Sequence, residues 1–209
     1  MPKMAKGGRD RICEAAIEVA SRDGLLSMTL DNVAKEAGIS KGGVMYHFHT
    51  KEELVTAMLE YFGAKLEQQF MQRMANDSQP GFRWARSMLS CLFPAPETRS
   101  DESSTIPPKL IERFMLSTLA AAVNSPTSFE PLRAIGIRLR DRLLNERDGG
   151  MDQLLVWLAV DGLFLWQFIG MINCDEPLYQ QIGDALRAKV APPSPEAKKK
   201  VRKAKKKTR

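Results

Sequence analysis

Along this chain apolar residues return every three to four positions, and stretches of strict alternation are scarce. That period predicts helices rather than strands. Ile12, Ala16, Val19 and Ala20 make the inner face of a first helix over about 9–23, and Gly24 is a natural stop. Leu30, Val33, Ala34 and Ala37 stand at i, i+3, i+4 and i+7, behind a Thr29 that can cap the helix they define. Gly38 ends that helix, Ile39 points back to the core, and Ser40 can cap a second short helix over about 41–48. Thr50 and Glu53 have capping-box spacing for a long helix from Lys51 to about Ala75, with Leu54, Ala57, Met58 and Tyr61 on its apolar stripe.

Further helical patterns cover about 82–93, 109–123, 129–147, 152–172 and 178–190. Between them lie "PAPETRSDESSTIPP", "NSPTS", "RDGG" and "CDEP", each rich in turn residues. The expectation is an all-α chain of about nine helices, a small front domain before a larger helical bundle. Its divisions fall at 1–50, at 51–191 with 51–75 as the connecting helix, and at a tail over 192–209. The stretch "LLVWLAVDGLFLWQFIGMI", 154–172, approaches membrane-spanning length. Asp161 near its middle argues for a buried core helix instead of a membrane span.

Composition changes this picture in two places. A 44% hydrophobic share is enough for a globular core. The net charge of +6 is concentrated at one end: "EAKKKVRKAKKKTR", 196–209, holds nine Lys or Arg against one Glu, so the rest of the chain is slightly acidic. Such a run is ordinarily solvated and disordered, and it can hold nucleic acid through phosphate attraction. "PPSP" at 192–195 separates it from the body. Three distant cysteines, Cys13, Cys91 and Cys174, suggest neither a disulfide framework nor a zinc site and fit a reducing, cytoplasmic compartment. The two histidines, His47 and His49, are two apart and share no helix face, so no metal and no cofactor is expected.

Two short helices joined by Gly38, Ile39 and Ser40, with one helix before and one after, have the spacing of a helix-turn-helix DNA reader. The second would enter the major groove. The segment "TLDNVAKEAGISKGGVMYHFHTKEEL", 29–54, resembles the TetR family of transcriptional regulators, with Tyr46, His47 and Phe48 in the family's places. The resemblance is strong over residues 9–60 and rests on length and helical pattern behind them. It implies that Thr29, Ser40, Lys41, Gly42, Gly43, Tyr46, His47 and Lys51 form the DNA-binding set. Physics supports several of these roles. The hydroxyls of Thr29 and Tyr46 can donate to phosphate. Lys51 sits at a helix start, where free amides favour anions. Lys41 can reach a phosphate or a guanine edge, and His47 is expected on the outward face. Gly42 fits the family pattern; at Gly43 the family commonly has Thr, Ser or Ala. Taken singly, Thr29 is a cap, the lysines are solvated charges, and Tyr46 is a core-edge residue.

The resemblance also implies a homodimer through the helices at about 152–172 and 178–190. The first of these is apolar on nearly every face, as a helix touching both its own core and a partner would be. In the rear domain Trp84, Met88, Phe114, Trp157 and Asp161 are the candidate ligand contacts, from three helices expected to face one another. Two readings of Asp161 stand. It is either a pocket acid for a cationic or hydrogen-bonding ligand, or a structural acceptor satisfied by Arg138, Arg142 or a backbone amide. The expected function is a repressor released from a palindromic operator by a small apolar or cationic effector. Activation by the same fold, or non-specific DNA binding through the basic tail, are the alternatives. No phosphate loop and no nucleophile–base–orienter set is recognisable, so no enzyme and no catalytic residue is expected.

Overall fold

The computed structural model describes residues 7–79, 81–93, 106–122, 129–145 and 149–191. The predicted tail over 192–209, most of the loop over 94–108, and the last residues of the helices predicted to end at 123 and 147 lie outside the described residues. Among the described residues the chain forms nine helices and no strand: α1 (Gly8–Asp23), α2 (Leu30–Ala37), α3 (Lys41–His47), α4 (Lys51–Asn76), α5 (Arg83–Leu92), α6 (Pro108–Ala122), α7 (Glu130–Leu144), α8 (Gly150–Phe168) and α9 (Glu176–Lys189).

The first three helices close on the residues that the periodicity selects. Ile12, Ala16, Val19, Ala20, Val33, Val44 and Phe48 are all essentially inaccessible. Each of the larger ones contributes roughly 1.5–3 kcal/mol of burial. The cap signals hold, with two refinements. The Thr29 hydroxyl accepts from the Asn32 backbone amide at 3.2 Å while the Asn32 side-chain Oδ1 accepts from the Thr29 backbone amide at 2.7 Å, so Asn completes a capping box ordinarily closed by Glu or Gln. Thr50 accepts from the Glu53 amide, but the Glu53 carboxylate reaches one residue further back, to the His49 amide at 2.8 Å.

α4 is the shared beam. Its first turns pack on the front helices through Leu54 and Met58, and its Tyr61 hydroxyl donates to Glu14 of α1 at 2.6 Å. α6 also packs on α1, and the Ser117 hydroxyl accepts from the Leu25 amide at 2.8 Å. One hydrophobic core therefore runs without interruption from the front helices into the bundle.

α5 is held at both ends by the last two helices. The amide of Ala85 in its first turn donates to buried Gln153 of α8 at 3.2 Å. At its other end the Tyr179 hydroxyl donates to the Leu92 carbonyl and Arg187 to the Phe93 carbonyl. Arg86 meets Asp77 at 2.7 Å and donates to the Val190 carbonyl. Burial at Asp77 raises its pKa, but hydrogen bonds from Arg86 and the Gln79 amide, with the charges of Arg86 and Arg83, outweigh it and hold the carboxyl below its ordinary value.

The helix predicted over 152–172 begins two residues earlier and stops at Phe168. Gly170, at φ 72°, supplies the left-handed turn. The Met171 amide then reaches back to Trp166 and the Gly170 amide to Gln167, a Schellman stop. Nor is α8 buried all round. Met151, Leu155, Leu158, Leu165, Trp166, Phe168 and Ile169 are exposed, although none of the described helices is long and apolar enough to cross a membrane. α9 likewise starts at Glu176 rather than 178, because Asp175 caps it by accepting from the Leu178 amide at 2.9 Å.

Candidate DNA-reading face and effector cavity

The reader face is set by the α2–α3 turn. Val44 and Phe48, one turn apart, anchor α3 to the core, and the same rotation throws Tyr46 outward, where it is 82% exposed. Ser40 caps α3 by accepting from the Gly43 amide at 3.1 Å. Lys41 and Gly42 stand in the exposed first turn. A β-carbon at Gly42 would come no nearer than 3.8 Å to the Ser40 hydroxyl, and one at Gly43 would meet Ile39 and Ser40 at 3.5 Å. Neither glycine is demanded by packing.

The two lysines are already engaged. Lys41 pairs with Asp31 at 2.8 Å, and Lys51 donates to the Leu26 carbonyl at 2.9 Å. Exposed pairs of this kind are worth about 0–1 kcal/mol, so phosphate can displace them readily. Thr29 is exposed, with its hydroxyl turned to Asn32 at 3.1 Å. His47 stands differently from Tyr46. It is half-buried, meets the Tyr46 ring edge-on at 5.1 Å, and lies so close to α1 that a β-carbon on Gly8 would sit 3.0 Å from its Nε2. One residue further round the helix than Tyr46, it turns toward α1 rather than fully outward. Arg9 stacks over Phe48 at 4.8 Å, and Arg11 donates to the Ala37 carbonyl at 3.1 Å. Neither arginine stands out in the sequence as part of the reader.

Behind the reader, α4, α5, α6, α7 and α8 enclose a cavity of about 310 Å³. Trp84, Met88, Trp157 and Asp161 are on its wall. Phe114 is not: it is fully buried behind the wall against Phe62, with ring centroids 4.3 Å apart. Its neighbour Met115 lines the cavity instead, since successive helical residues face about 100° apart. Contacts that sequence reasoning missed come mostly from α4 and α7, among them Phe62, Phe70, Met71, Leu132, Ile135 and Arg138. The sequence marks α4 as a long helix with an apolar stripe through Leu54, Ala57, Met58 and Tyr61, none of which lines the cavity; the wall residues lie further along it. Trp84 and Trp157 meet edge-on at 5.7 Å, and Phe70 meets Trp84 at 6.1 Å.

Asp161 is open to the cavity yet crowded by protein, so its surface is wet while its surroundings are of low polarity. Burial pushes its carboxyl up to about 6, and a hydrogen bond from Trp157 pulls the other way. The donor is an indole, neither of the two arginines nor a backbone amide. Arg138, Arg142 and Glu67 also line the wall, at exposed positions. No group of His, Cys, Asp and Glu among the described residues is arranged to hold a metal ion.

Residues 12–58 match the model of bacterial regulatory proteins of the tetR family, and residues 83–191 match that of the tetracyclin repressor-like C-terminal domain. Over 55 residues the chain is 44% identical to an uncharacterized HTH-type transcriptional regulator, TtgW, of Pseudomonas putida; that match spans 26% of this chain and 41% of the relative, less than half its length. Among solved structures, the multidrug binding protein EbrR complexed with imidazole superposes with a TM-score of 0.57 at 20% identity, over 92% of this chain and 99% of that one. A transcriptional regulator from Saccharomonospora viridis in complex with choline gives 0.63 at 16% identity, over 85% and 93%.

Proposed function

Because the chain belongs to the TetR family of bacterial regulatory proteins, a regulatory and not an enzymatic family, we propose that it is a ligand-responsive cytoplasmic repressor. It binds a palindromic operator as a homodimer and leaves it when a small apolar or cationic molecule fills the cavity. Thr29, Ser40, Lys41, Gly42, Tyr46 and Lys51 carry the DNA contacts, with Gly43 allowing close approach and His47 bracing the Tyr46 ring. Trp84, Met88, Trp157 and Asp161 carry the ligand contacts.

One observation carries this reading. α4 is a single helix of 26 residues, about 39 Å long. It starts with Lys51 at the reader's edge and lines the cavity from Phe62 to Met74. A ligand that favours one position of α4 therefore favours one position of the reader. It can do so only by its difference in affinity for the two states. α6 offers a second route, from wall residues Ile111 and Met115 to the Ser117–Leu25 hydrogen bond.

The dimer is supported by the exposed side of α8. Met151, Leu155, Leu158, Gly162, Leu165 and Ile169 recur at alternating steps of four and three, a seam of the kind two helices share. The proposed divisions are a reader over 1–50, a ligand-binding and dimerising body over 51–191, and a tail over 192–209. The test is a selection on random duplex DNA followed by binding of the selected site. The expected result is an enriched short palindrome bound by a dimer. Recovery of no preferred sequence, with binding that falls steeply with salt, would sink the repressor in favour of non-specific binding by the basic tail.

A further inference from the structure

The cavity wall carries a carboxylate whose needs the protein meets only in part. A carboxylate has about four lone-pair sites for hydrogen bonds. At Asp161 the Trp157 indole supplies a donor, and no arginine lies close enough to pull the carboxyl down. Arg138 and Arg142 share the wall, so a structural ion pair was available to this fold and is not made. The remaining acceptor capacity faces the cavity.

Two charge arrangements compete for a ligand. The arginines of α7 would welcome an anion; Asp161 would welcome a cation. Arg138, Arg142 and Asp161 are all at exposed positions, so access to water does not separate them. The setting on the wall does: Asp161 stands one helical turn from Trp157 and one from Phe164, and all three line the cavity. An anion would also face the Asp161 charge directly. Around the carboxylate the wall is aromatic: Trp157, Trp84 and Phe70 form an edge-to-face chain that can receive a cation's flank.

We propose that the ligand of this cavity is a protonated primary or secondary amine on a small aromatic or branched apolar body, with its N–H groups donating to Asp161. This rests on the reading of the cavity as the effector site and narrows it. A quaternary ammonium offers charge without a donor and leaves the free acceptor sites of Asp161 unfilled, so it binds less well. A volume of about 310 Å³ sits at the lower end of small-molecule sites.

The test is calorimetric binding of four probes of one shape: 2-phenylethylamine, its N-trimethylated form, 2-phenylethanol and 3-phenylpropionate. The amine is expected to bind at least about tenfold tighter than the other three, the worth of a charge-assisted hydrogen bond. Because the amine binds the ionised carboxylate, its affinity should fall about tenfold from pH 7.5 to pH 5, as protons compete at Asp161. The other charged groups on the wall are Glu67 of α4 and the two arginines of α7; α5 and α6 contribute none. Asp161→Asn should abolish both the amine preference and the pH dependence, and Glu67→Gln should keep both. If Asp161→Asn does not fold, the wild-type pH profile and probe ranking decide alone. Equal binding of the alcohol or the quaternary form, a pH dependence that survives Asp161→Asn, or no binding of any probe would overturn the proposal. The effector reading fails separately: the amine would bind with the expected profile and leave the affinity for the selected DNA site unchanged.

Discussion

Replacing Asp161 with Asn should make the empty protein more stable, not less. In the unfolded chain its carboxyl titrates near 3.8, and in the fold burial raises this to about 6. The unfolded state therefore releases its proton first as pH rises. Ionisation then draws the equilibrium toward unfolding between pH 4 and 6, and the loss is complete above the folded value. A shift of roughly two units corresponds to at most about 3 kcal/mol. The carboxylate reaches solvent through the cavity, so screening reduces this to on the order of 1 kcal/mol. Asn keeps an oxygen to accept from Trp157 and carries no charge. For a chain of this size 1 kcal/mol moves the melting temperature by about 2–4 °C. Melts of both proteins at pH 4.5, 5.5, 6.5 and 7.5 should show Asp161→Asn gaining on the wild type as pH rises, then holding a constant lead. A variant that melts lower than wild type at pH 7.5 would refute the argument and make Asp161 a satisfied structural acceptor. A gain in stability together with lost amine binding would mark a group kept for its ligand at a cost to the fold.

Two further substitutions test other parts of the chain. Leu158 is 57% exposed in the middle of the α8 seam, so Leu158→Glu should change the stability of one subunit by only about 0.5 kcal/mol while placing a charge in the proposed dimer interface. Sedimentation should find the wild type dimeric and the variant monomeric; a dimeric variant would move the interface elsewhere. A β-carbon at Gly183 would lie 2.9–3.0 Å from Cβ, Cγ and Cδ1 of Phe93, a fully buried ring stacked on Tyr179 at 4.5 Å. The near end of that side chain has nowhere to go. Gly183→Ala should cost about 1–3 kcal/mol in thermal or denaturant unfolding, and an unchanged melting temperature would show that α9 slides freely over α5.

The helices were legible because their signals are local. The apolar period, the Thr29, Ser40 and Thr50 caps and the Gly38 stop are all written within a few residues of what they determine, and each is found in place. Where sequence reasoning slipped, the missing information was non-local or was hidden by composition. The pattern over 152–172 continues apolar past Phe168, and Gly170 is the one sign that the helix has ended. That same unbroken pattern carries α8 residues that face the core and residues left exposed, such as Leu155 and Leu158, without a break to tell them apart. The cavity shows the limit most clearly. Four of its wall residues, Trp84 and Met88 on α5 and Trp157 and Asp161 on α8, were found from the sequence, yet Phe114 and Met115 are adjacent, similar in character, and separated only by a rotation that fixes which of them faces inward. A helix's phase against its neighbours is set by packing across the bundle, which no short window contains.

Gly43 combines both kinds of information. Its sequence context marks it as the third residue of the recognition helix, where a family member commonly carries Thr, Ser or Ala. The structure removes the obvious reason for a glycine, since a β-carbon there would make only ordinary contacts at 3.5 Å with Ile39 and Ser40. Helix propensity also favours replacement, by a few tenths of a kcal/mol for Thr over Gly. The fold therefore tolerates the side chain that this chain lacks, and Gly43→Thr should fold as well as the wild type. Any change it brings to DNA binding then belongs to the interface. The expected outcome is a stronger or redirected preference in a selection on random duplexes, because the added hydroxyl and methyl can reach a base edge beside Lys41. Unchanged affinity and unchanged sequence preference would leave the glycine as a permissive helix start. The reading of bases would then have to come from Lys41 and Tyr46 with the shape of the DNA.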